Sequence, residues 1–255
     1  MSHILTAEGV VKQFGAFRAL DGVDISVERG RTTLIIGPNG SGKTTFVNVV
    51  TGVYKPEAGK ILFYKNSEAI NITGWPPHKI FAAGIVRTFQ IPQVFQKLTV
   101  LENVLVVARG QRGEGIVSAL VKNWRSQEEE LARKAFKILK MVRLDDKWDV
   151  PAYLLSAGEM KLLELARALM AGAELIILDE PIAGVPVDQA HDVFKTVRSI
   201  NQQQGTTFLV IEHRIDIAFK YVDYVYTMAS GRVISHGTPE KVANDPKVRE
   251  VYIGG

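Results

Sequence analysis

A glycine-rich run that ends in one lysine and two threonines has the composition and spacing of a phosphate-binding loop. The run reads Gly37, Pro38, Asn39, Gly40, Ser41, Gly42, Lys43, Thr44 and Thr45. Glycines let successive backbone N–H groups converge on phosphate oxygens, and the lysine adds a positive charge for the β- and γ-phosphates. The Thr44 hydroxyl is suited to bind Mg²⁺. The run therefore predicts a nucleoside triphosphate site, against the alternative of a glycine-rich turn that merely opens a helix.

Two carboxylates, Asp179 and Glu180, stand directly after the apolar run at residues 175–178. Asp179 is suited to the Mg²⁺ shell, and Glu180 is suited to polarise an attacking water. The alternative is an acidic strand end that is simply solvated at the surface. Together with the phosphate loop, this pair favours hydrolysis of the nucleotide.

Hydrophobic patterns indicate the elements that must position these residues. The first thirty residues alternate between apolar and polar, which predicts short antiparallel strands, and a further strand pair is predicted near residues 59–64. Continuous apolar runs are typical of a parallel sheet that is buried on both faces. Those runs occupy residues 34–36, 175–178 and 208–211. Helical periodicity between about Pro92 and Met170 predicts a helical insertion.

The amino-acid composition allows a folded core and excludes several kinds of metal and thiol chemistry. With 255 residues, of which 46% are hydrophobic, the chain is long enough to bury a sizeable core. Its net charge of +4 does not choose between an anionic ligand, a membrane surface and nucleic acid. The absence of cysteine excludes disulfides, iron–sulfur ligation and thiol catalysis, and the five histidines lack metal-binding spacing. Mg²⁺ that arrives with the nucleotide is the only metal we expect.

No apolar run approaches the ~20 residues that span a bilayer, and the first nine residues lack the pattern of a secretion signal. Any membrane role is therefore expected to be peripheral. The segment at 108–127 is rich in Gly, Arg and Lys. We expect a solvated loop with one short helix there, rather than a lid or a partner surface.

The run Leu155, Ser156, Ala157, Gly158 and Glu159 resembles the L-S-G-G-Q signature of ATP-binding cassette (ABC) ATPases. Three further residues match motifs of that family in the same order along nearly the whole chain. Phe14 resembles the aromatic residue that stacks on adenine, Gln90 resembles the Q-loop glutamine, and His213 resembles the switch histidine. The resemblance implies ATP hydrolysis with Glu180 and His213 as catalytic residues. It also implies that Thr44, Gln90 and Asp179 hold Mg²⁺.

The resemblance implies a fold and a partner as well. The fold is of the α/β class, a P-loop NTPase of ABC type whose central sheet is mostly parallel. An antiparallel β subdomain and the nucleotide core are expected at 1–90 and 171–255, and a helical subdomain with the signature motif at 91–170. Two cassettes would pair head to tail, so that Ser156, Ala157 and Gly158 contact the ATP held by the other cassette.

Three positions depart from the family pattern. Ala157 replaces a glycine and Glu159 replaces a glutamine, and the negative charge of Glu159 is expected to affect coupling. Pro186 stands where the family commonly has an aspartate, and proline supplies neither a carboxylate nor an N–H. Pro186 therefore cannot supply the side-chain contact that this aspartate makes across the dimer in the family.

A finer resemblance is to the importers of branched-chain and hydrophobic amino acids. It rests on Arg87, Thr88 and Phe89 before Gln90, and on the tail at 251–254. It implies an ATPase subunit at the cytoplasmic face of the membrane, which serves separate permease subunits and, indirectly, a substrate-binding protein. A homodimer and a heterodimer both remain open, and no nucleic acid partner is expected. The surface from 90 to 101, including Ile91, Val94 and Phe95, is the candidate for permease docking.

Two alternatives remain beside the importer. One is the single-cassette ATPase of iron–sulfur cluster assembly, which is similarly small and whose signature also has a glutamate. The other is a binding module in which ATP is only a structural ligand. Both would keep the phosphate loop. The iron–sulfur assembly ATPase would differ from an importer ATPase in its protein partner, and the binding module would differ in not hydrolysing ATP.

Overall fold

A computed structural model of the chain describes residues 2–66, 68–109 and 124–253. Of the predicted loop at 108–127, residues 110–123 lie outside this description, as does Gly254 of the tail motif. Internal contacts divide the chain into two units. The first comprises Met1–Gln90, Glu174–Pro181 and Val197–Gly255, and the second comprises Ile91–Ala173 and Ile182–Thr196.

An antiparallel sheet of four strands occupies the N-terminal part of the first unit, with the order β2-β1-β4-β5. Its strands are β1 (His3–Phe14), β2 (Phe17–Glu28), β4 (Ala58–Lys65) and β5 (Glu68–Asn71). A tight turn at Gly15, with φ of +58°, lets β1 fold back onto β2. The predicted antiparallel strands, including the pair near residues 59–64, are confirmed.

A second sheet of six strands carries the nucleotide chemistry, with the order β10-β9-β3-β8-β7-β6. Its strands are β3 (Thr32–Ile36), β6 (Ile85–Arg87), β7 (Leu175–Asp179), β8 (Thr207–Ile211), β9 (Tyr224–Ala229) and β10 (Arg232–Gly237). All neighbours pair in parallel except β10, which is antiparallel to β9. Every residue of β3, β7 and β8 is buried, as the continuous apolar runs predict.

Parallel pairing brings the carboxyl ends of β3, β7 and β8 to one edge of this sheet. Ile35 is in register with Ile211, and Ile211 is in register with Asp179. The phosphate loop follows β3, Glu180 follows β7, and His213 follows β8. Chemistry-bearing residues from three distant parts of the sequence therefore meet at one edge.

Helices complete the first unit. They are α1 (Lys43–Val50), α2 (Pro77–Ala83), α7 (Ile215–Ala218), α8 (Pro239–Ala243) and α9 (Pro246–Ile253). Phe46 and Val50 of α1 are fully buried and join the same core cluster as Ile35 and Ile211 of the sheet. This packing fixes the helix that begins directly after the phosphate loop.

The second unit is helical. Its helices are α3 (Val100–Leu105), α4 (Trp124–Met141), α5 (Ala157–Met170) and the first part of α6 (Val187–Gln204). The face of α5 that carries Leu162, Leu165, Ala166 and Leu169 is buried, as the periodicity predicts. In the part of the chain that the structure describes, no helix has the length and apolar character needed to cross a membrane.

Candidate nucleotide site

The phosphate loop connects β3 to α1 through conformations that favour glycine. Gly37, Gly40 and Gly42 have φ values of +152°, +75° and +103°. A Cβ on Gly37 would lie 2.2 Å from the Met228 carbonyl oxygen, and one on Gly42 would lie 2.7 Å from the Ala19 carbonyl oxygen. Larger residues are therefore excluded at both positions. Gly42 caps α1, so the unpaired N–H groups at the start of this helix belong to the loop.

Lys43 is buried at the centre of the loop. Its Nζ donates to the carbonyl oxygens of Gly37 at 2.8 Å and Pro38 at 3.0 Å, and it lies 3.4 Å from the Ser41 hydroxyl. Burial lowers the pKa of Lys43 below its usual range, while the negative charges of Glu180 and Asp179 raise it partway back. A cation held this way is poised to bind a multiply charged anion.

Glu180 is held at both carboxylate oxygens. Gln90 Nε2 donates to Oε2 at 2.8 Å, and His213 Nε2 lies 3.2 Å from Oε1. The backbone of Glu180 has φ of +50°, which is uncommon for a residue with a side chain, and its N–H donates to the Ile211 carbonyl at 2.9 Å. Three residues from the predicted set therefore form one constellation, in which the carboxylate has a fixed direction.

Asp179 is paired with Arg87, the last residue of β6. Nη2 of Arg87 donates to Oδ2 of Asp179 at 2.6 Å, and Nη1 donates to Oδ1 of Asn48 on α1 at 2.6 Å. The sequence indicates Arg87 only as part of the motif that resembles the importer group, with no chemical role. Its contacts with Asp179 and Asn48 could not be inferred from the local sequence.

A cavity of about 340 Å³ opens beside the loop. It is lined by Phe17, Ala19, Asn39, Gly40, Ser41, Gly42, Lys43, Thr44, Thr45, Glu180 and His213. Seven of the nine predicted loop residues, all except Gly37 and Pro38, thus line one cavity with both predicted catalytic residues. Phe14 is not among the lining residues: its ring meets Tyr54 edge to face at 5.2 Å, and Lys12 lies 5.2 Å from its centroid. Phe17, an aromatic residue that the sequence analysis did not select, is 64% exposed and lines the cavity.

The oxygen atoms near the loop fit Mg²⁺, which prefers hard oxygen ligands and usually shares them with phosphates. Thr44 is exposed at the cavity, Asp179 and Glu180 lie close enough to Lys43 to raise its pKa, and Gln90 contacts Glu180. Within the described ranges, no group of three His, Asp or Glu residues is spaced to hold a metal by itself. A cation at this edge would therefore depend on the Thr44 hydroxyl, the Gln90 amide and phosphate oxygens as well.

The signature residues begin α5 in the second unit. The Ser156 hydroxyl accepts from the Glu159 N–H at 3.3 Å, and Oε2 of Glu159 accepts from the Ser156 N–H at 2.9 Å, which is a capping box. Oε1 of Glu159 also accepts from Lys147 Nζ. Burial raises the pKa of Glu159, but the Lys147 ammonium and the Ser156 donors outweigh burial, so the pKa is lowered overall. The charge that departs from the family glutamine is thus neutralised locally.

The two other residues that depart from the family pattern, Ala157 and Pro186, both lie at the start of a helix. Ala157 is the first residue of α5, and Gly158 follows it in a crowded place, where a Cβ would lie 2.9 Å from Oε1 of Gln189. Pro186 directly precedes α6, and its carbonyl accepts from the Ala190 N–H at 2.8 Å. Proline at this position keeps the start of the helix and supplies no carboxylate.

A family model described as "ABC transporter" matches residues 20–183, more than half of the chain. The chain belongs to this family. A second model, described as "Branched-chain amino acid ATP-binding cassette transporter", matches residues 232–255 of the cassette. The first match spans the loop, the signature and the carboxylate pair, and the second covers β10 and the two helices that follow it.

Relatives match the cassette over nearly its full length. A protein of Archaeoglobus fulgidus, named "Probable branched-chain amino acid transport ATP-binding protein LivG", is 49% identical over 98% of this chain and 95% of its own. A protein of Methanocaldococcus jannaschii with the same name is 48% identical over 99% and 98%. A crystal structure of an ATP-binding cassette of an ABC transporter, in its ADP conformation, is 46% identical and covers both chains fully with a TM-score of 0.85.

These findings confirm several predictions from the sequence. The cassette has the predicted α/β P-loop fold, with a mostly parallel sheet, an antiparallel sheet and a helical part. It is an ATP-binding protein and an ATPase of the ABC transporter family. The tail match agrees with the predicted importer group and gives no support to the iron–sulfur assembly alternative.

Proposed function

We propose that this cassette is the ATP-hydrolysing subunit of an importer for branched-chain or other hydrophobic amino acids, whose permeases are separate chains. The observation that carries the proposal is the fixed carboxylate of Glu180, held by Gln90 and His213 at the cavity of the phosphate loop. A structural ATP site needs no such carboxylate. Its presence therefore favours turnover over a site where ATP only stabilises the fold.

Different residues of the proposed site bind the phosphates, act on the attacking water and orient the catalytic carboxylate. Backbone N–H groups of the loop and the Lys43 ammonium bind the phosphates, and Glu180 polarises or deprotonates the attacking water. His213 and Gln90 keep Glu180 in the direction that reaches this water. Mg²⁺, held by Thr44, Gln90 and Asp179, would neutralise charge on the β- and γ-phosphates. The adenine ring is assigned to the side of the cavity that Phe17 lines. Phe14, which does not line this cavity, is the candidate from the family resemblance.

A second cassette, identical or related, completes the proposed site. Ser156, Ala157 and Gly158 stand at the N-terminus of a fourteen-residue helix, where N–H groups and the helix dipole favour an anion. The capping box with Glu159 holds Ser156 in an ordered position. The γ-phosphate of the partner's ATP is the anion that these residues would meet.

Permease docking is proposed for the exposed surface of the second unit from residue 91 to 101. Ile91 is 73% exposed and Phe95 is 51% exposed, an unusual concentration of apolar surface on a short segment. Its backbone is fixed, because the buried Asn103 amide bonds to the Phe95 N–H and to the carbonyls of Phe95, Leu98 and Thr99. A rigid apolar surface suits a helix presented by a membrane partner.

A neighbouring groove of about 580 Å³ extends this surface within the same unit. Its apolar lining consists of Leu98, Leu105, Val106, Leu131 and Ala132. An amphipathic helix of a permease fits such a groove, which would keep the cassette at the cytoplasmic face of the membrane as a peripheral subunit. The amino acid specificity would then belong to the permease and to a substrate-binding protein.

Docking is tested by co-purification of the native complex on tagged cassettes. We expect Phe95→Glu to lose the permease subunits, because a charge replaces half-buried apolar contact at the interface. Val53→Glu, a matched change at a residue that is 53% exposed in the first unit, is expected to retain them. Recovery of the permeases in full by Phe95→Glu would contradict docking at this surface.

Substrate class is tested with the purified complex in proteoliposomes. ATP inside the vesicles is expected to drive uptake of labelled leucine, isoleucine or valine, while a complex that contains Glu180→Gln takes up none. Uptake of none of these amino acids by an ATPase-active complex would refute the proposed substrate class and leave the ATPase assignment intact.

A further inference from the structure

Arg87 contacts one of the residues that are proposed to hold Mg²⁺, Asp179, and lies against chain neighbours of the other two, Thr44 and Gln90. It donates directly to Asp179 at 2.6 Å and to Asn48 at 2.6 Å, and its guanidinium carbon lies 5.3 Å from the centre of the Phe89 ring. Phe89 directly precedes Gln90 in the sequence. Asn48 follows Thr44 by four positions on α1, so their side chains share one face of that helix.

The Arg87–Asp179 pair is buried, with only 11% and 8% of the two side chains exposed. Nε of Arg87 is buried without a hydrogen-bond partner among the described residues. Buried ion pairs contribute little to stability, because desolvation offsets the attraction between the charges. The Arg87–Asp179 pair is therefore expected to add little to the free energy of unfolding. Its main effect is to fix the position of the Asp179 carboxylate.

The imposed geometry concerns the carboxylate of Asp179. Because Oδ2 is bound to Arg87, the carboxylate cannot rotate freely, and Oδ1 is the oxygen that remains for a further ligand. The same guanidinium fixes the distance between β7 and the Thr44 face of α1 through Asn48. Mg²⁺ demands near-ideal octahedral geometry, so small errors in the spacing of its ligands weaken binding.

We propose that Arg87 is a positioning residue for the magnesium–nucleotide site, which sets the spacing of Thr44, Gln90 and Asp179 without contacting the metal. This inference rests on the proposed Mg²⁺ site. Arginine is suited to the role because its planar guanidinium reaches two acceptors at once, whereas lysine offers a single point charge. The positive charge of Arg87 repels Mg²⁺, so this role requires that ordering of the ligands outweighs that repulsion. Loss of a group that orients metal ligands typically lowers metal affinity by about 10- to 100-fold.

Equilibrium binding of ATP in the Glu180→Gln background, where hydrolysis is blocked, tests this proposal. ATP binding is measured as Mg²⁺ is raised, which gives the Mg²⁺ concentration for half-maximal binding of ATP. ATP affinity without metal is measured in excess EDTA. We expect Arg87→Met to raise the Mg²⁺ requirement by about 10-fold, with metal-free ATP affinity changed less than about 2-fold because Lys43 and the loop are intact. Arg87→Lys is expected to recover only part of the loss, since its single nitrogen lacks the planar pair of donors that fixes Asp179 and Asn48 at a set spacing.

Two further variants complete the design. Arg198→Met breaks another Arg–Asp pair of the first unit, in which Nη1 of Arg198 lies 2.5 Å from Oδ1 of Asp223, and it should leave the Mg²⁺ requirement unchanged. Asn48→Ala removes the acceptor of the second Arg87 hydrogen bond and keeps the charge of Arg87. It should raise the Mg²⁺ requirement by a smaller factor than Arg87→Met does. If Arg87→Met does not fold, Arg87→Lys and Asn48→Ala decide the question.

An unchanged or lowered Mg²⁺ requirement in folded Arg87 variants would overturn the positioning role while leaving the proposed function intact. A parent protein whose ATP binding does not depend on Mg²⁺ would overturn both the positioning role and the proposed metal site. A raised Mg²⁺ requirement in the Arg198→Met control would also overturn the positioning role, since loss of any Arg–Asp pair in the first unit would then have the same effect.

Discussion

Glu180 combines an uncommon backbone conformation with a side chain fixed at both oxygens. Its φ of +50° places the carboxylate at the end of β7, where Gln90 and His213 reach it from two other segments. Strained backbone of this kind persists where the surroundings require it, and it is frequent at reactive sites. The position of Glu180 is therefore consistent with a general base or a water-orienting group.

The first prediction concerns this carboxylate. Glu180→Gln should lower the rate of ATP hydrolysis by about 10² to 10⁴, the range for loss of a positioned general base, while ATP binding is retained. Glu174→Gln is a matched control, because Glu174 is also a partly exposed carboxylate of the first unit and pairs with Arg29 and Lys65. Phosphate release is the measurement, and parental hydrolysis by Glu180→Gln would disprove the catalytic assignment.

Individual residues of the site differ in how well the sequence predicts them. Lys43, Glu180 and His213 share the cavity because each follows a strand whose carboxyl end lies at one sheet edge, and the motifs indicate this. Arg87 and Phe17 could not be predicted, since neither has a local pattern that implies its contacts. Their roles depend on which strands become neighbours, a property of the whole sheet.

At the scale of elements, apolar periodicity predicts the strands and helices well. Residues 34–36, 175–178 and 208–211 lie in β3, β7 and β8 as expected, because a strand buried on both faces needs apolar residues at every position. The order of strands in the sheet does not follow from such runs. The neutralisation of Glu159 was also unpredictable, since Lys147 lies in a separate short turn.

The second prediction concerns the capping box of α5. Ser156→Ala should lower the free energy of unfolding by about 1 kcal/mol, because an N–H at the start of the helix loses its acceptor. Glu159→Gln keeps an acceptor for the Ser156 N–H and loses only a partly exposed ion pair, so its cost should be smaller. Urea unfolding measures both, and Ser199→Ala within α6 is the control. An equal or greater cost for Glu159→Gln would contradict this account of the cap.

On the scale of the whole molecule, the C-terminal helix α9 lies beside the start of the nucleotide loop within the first unit. Tyr252 of α9 is near the backbone of Gly37, the first glycine of the loop. The same tyrosine lines a cavity with Ile36 at the end of β3 and with Phe219, close after the segment that carries His213. The part of the chain that matches the branched-chain cassette model therefore lies beside the strand end from which the phosphate loop begins.

The third prediction uses the titration of Tyr252. Partial burial raises the pKa of Tyr252 to about 12 from an ordinary value of 10.0, and the nearby Gly37 backbone acts in the opposite direction. The folded state therefore holds this proton more tightly than the unfolded state, so the contribution of Tyr252 to stability is complete below pH 10 and declines as pH rises toward 12. Tyr252→Phe has no such proton. The difference in urea midpoint between parent and Tyr252→Phe should therefore be constant below pH 10 and shift against the parent above it. A difference that stays constant throughout this range would show that the hydroxyl ionises as freely in the folded chain as in the unfolded one, and that the tail does not bury it against the loop.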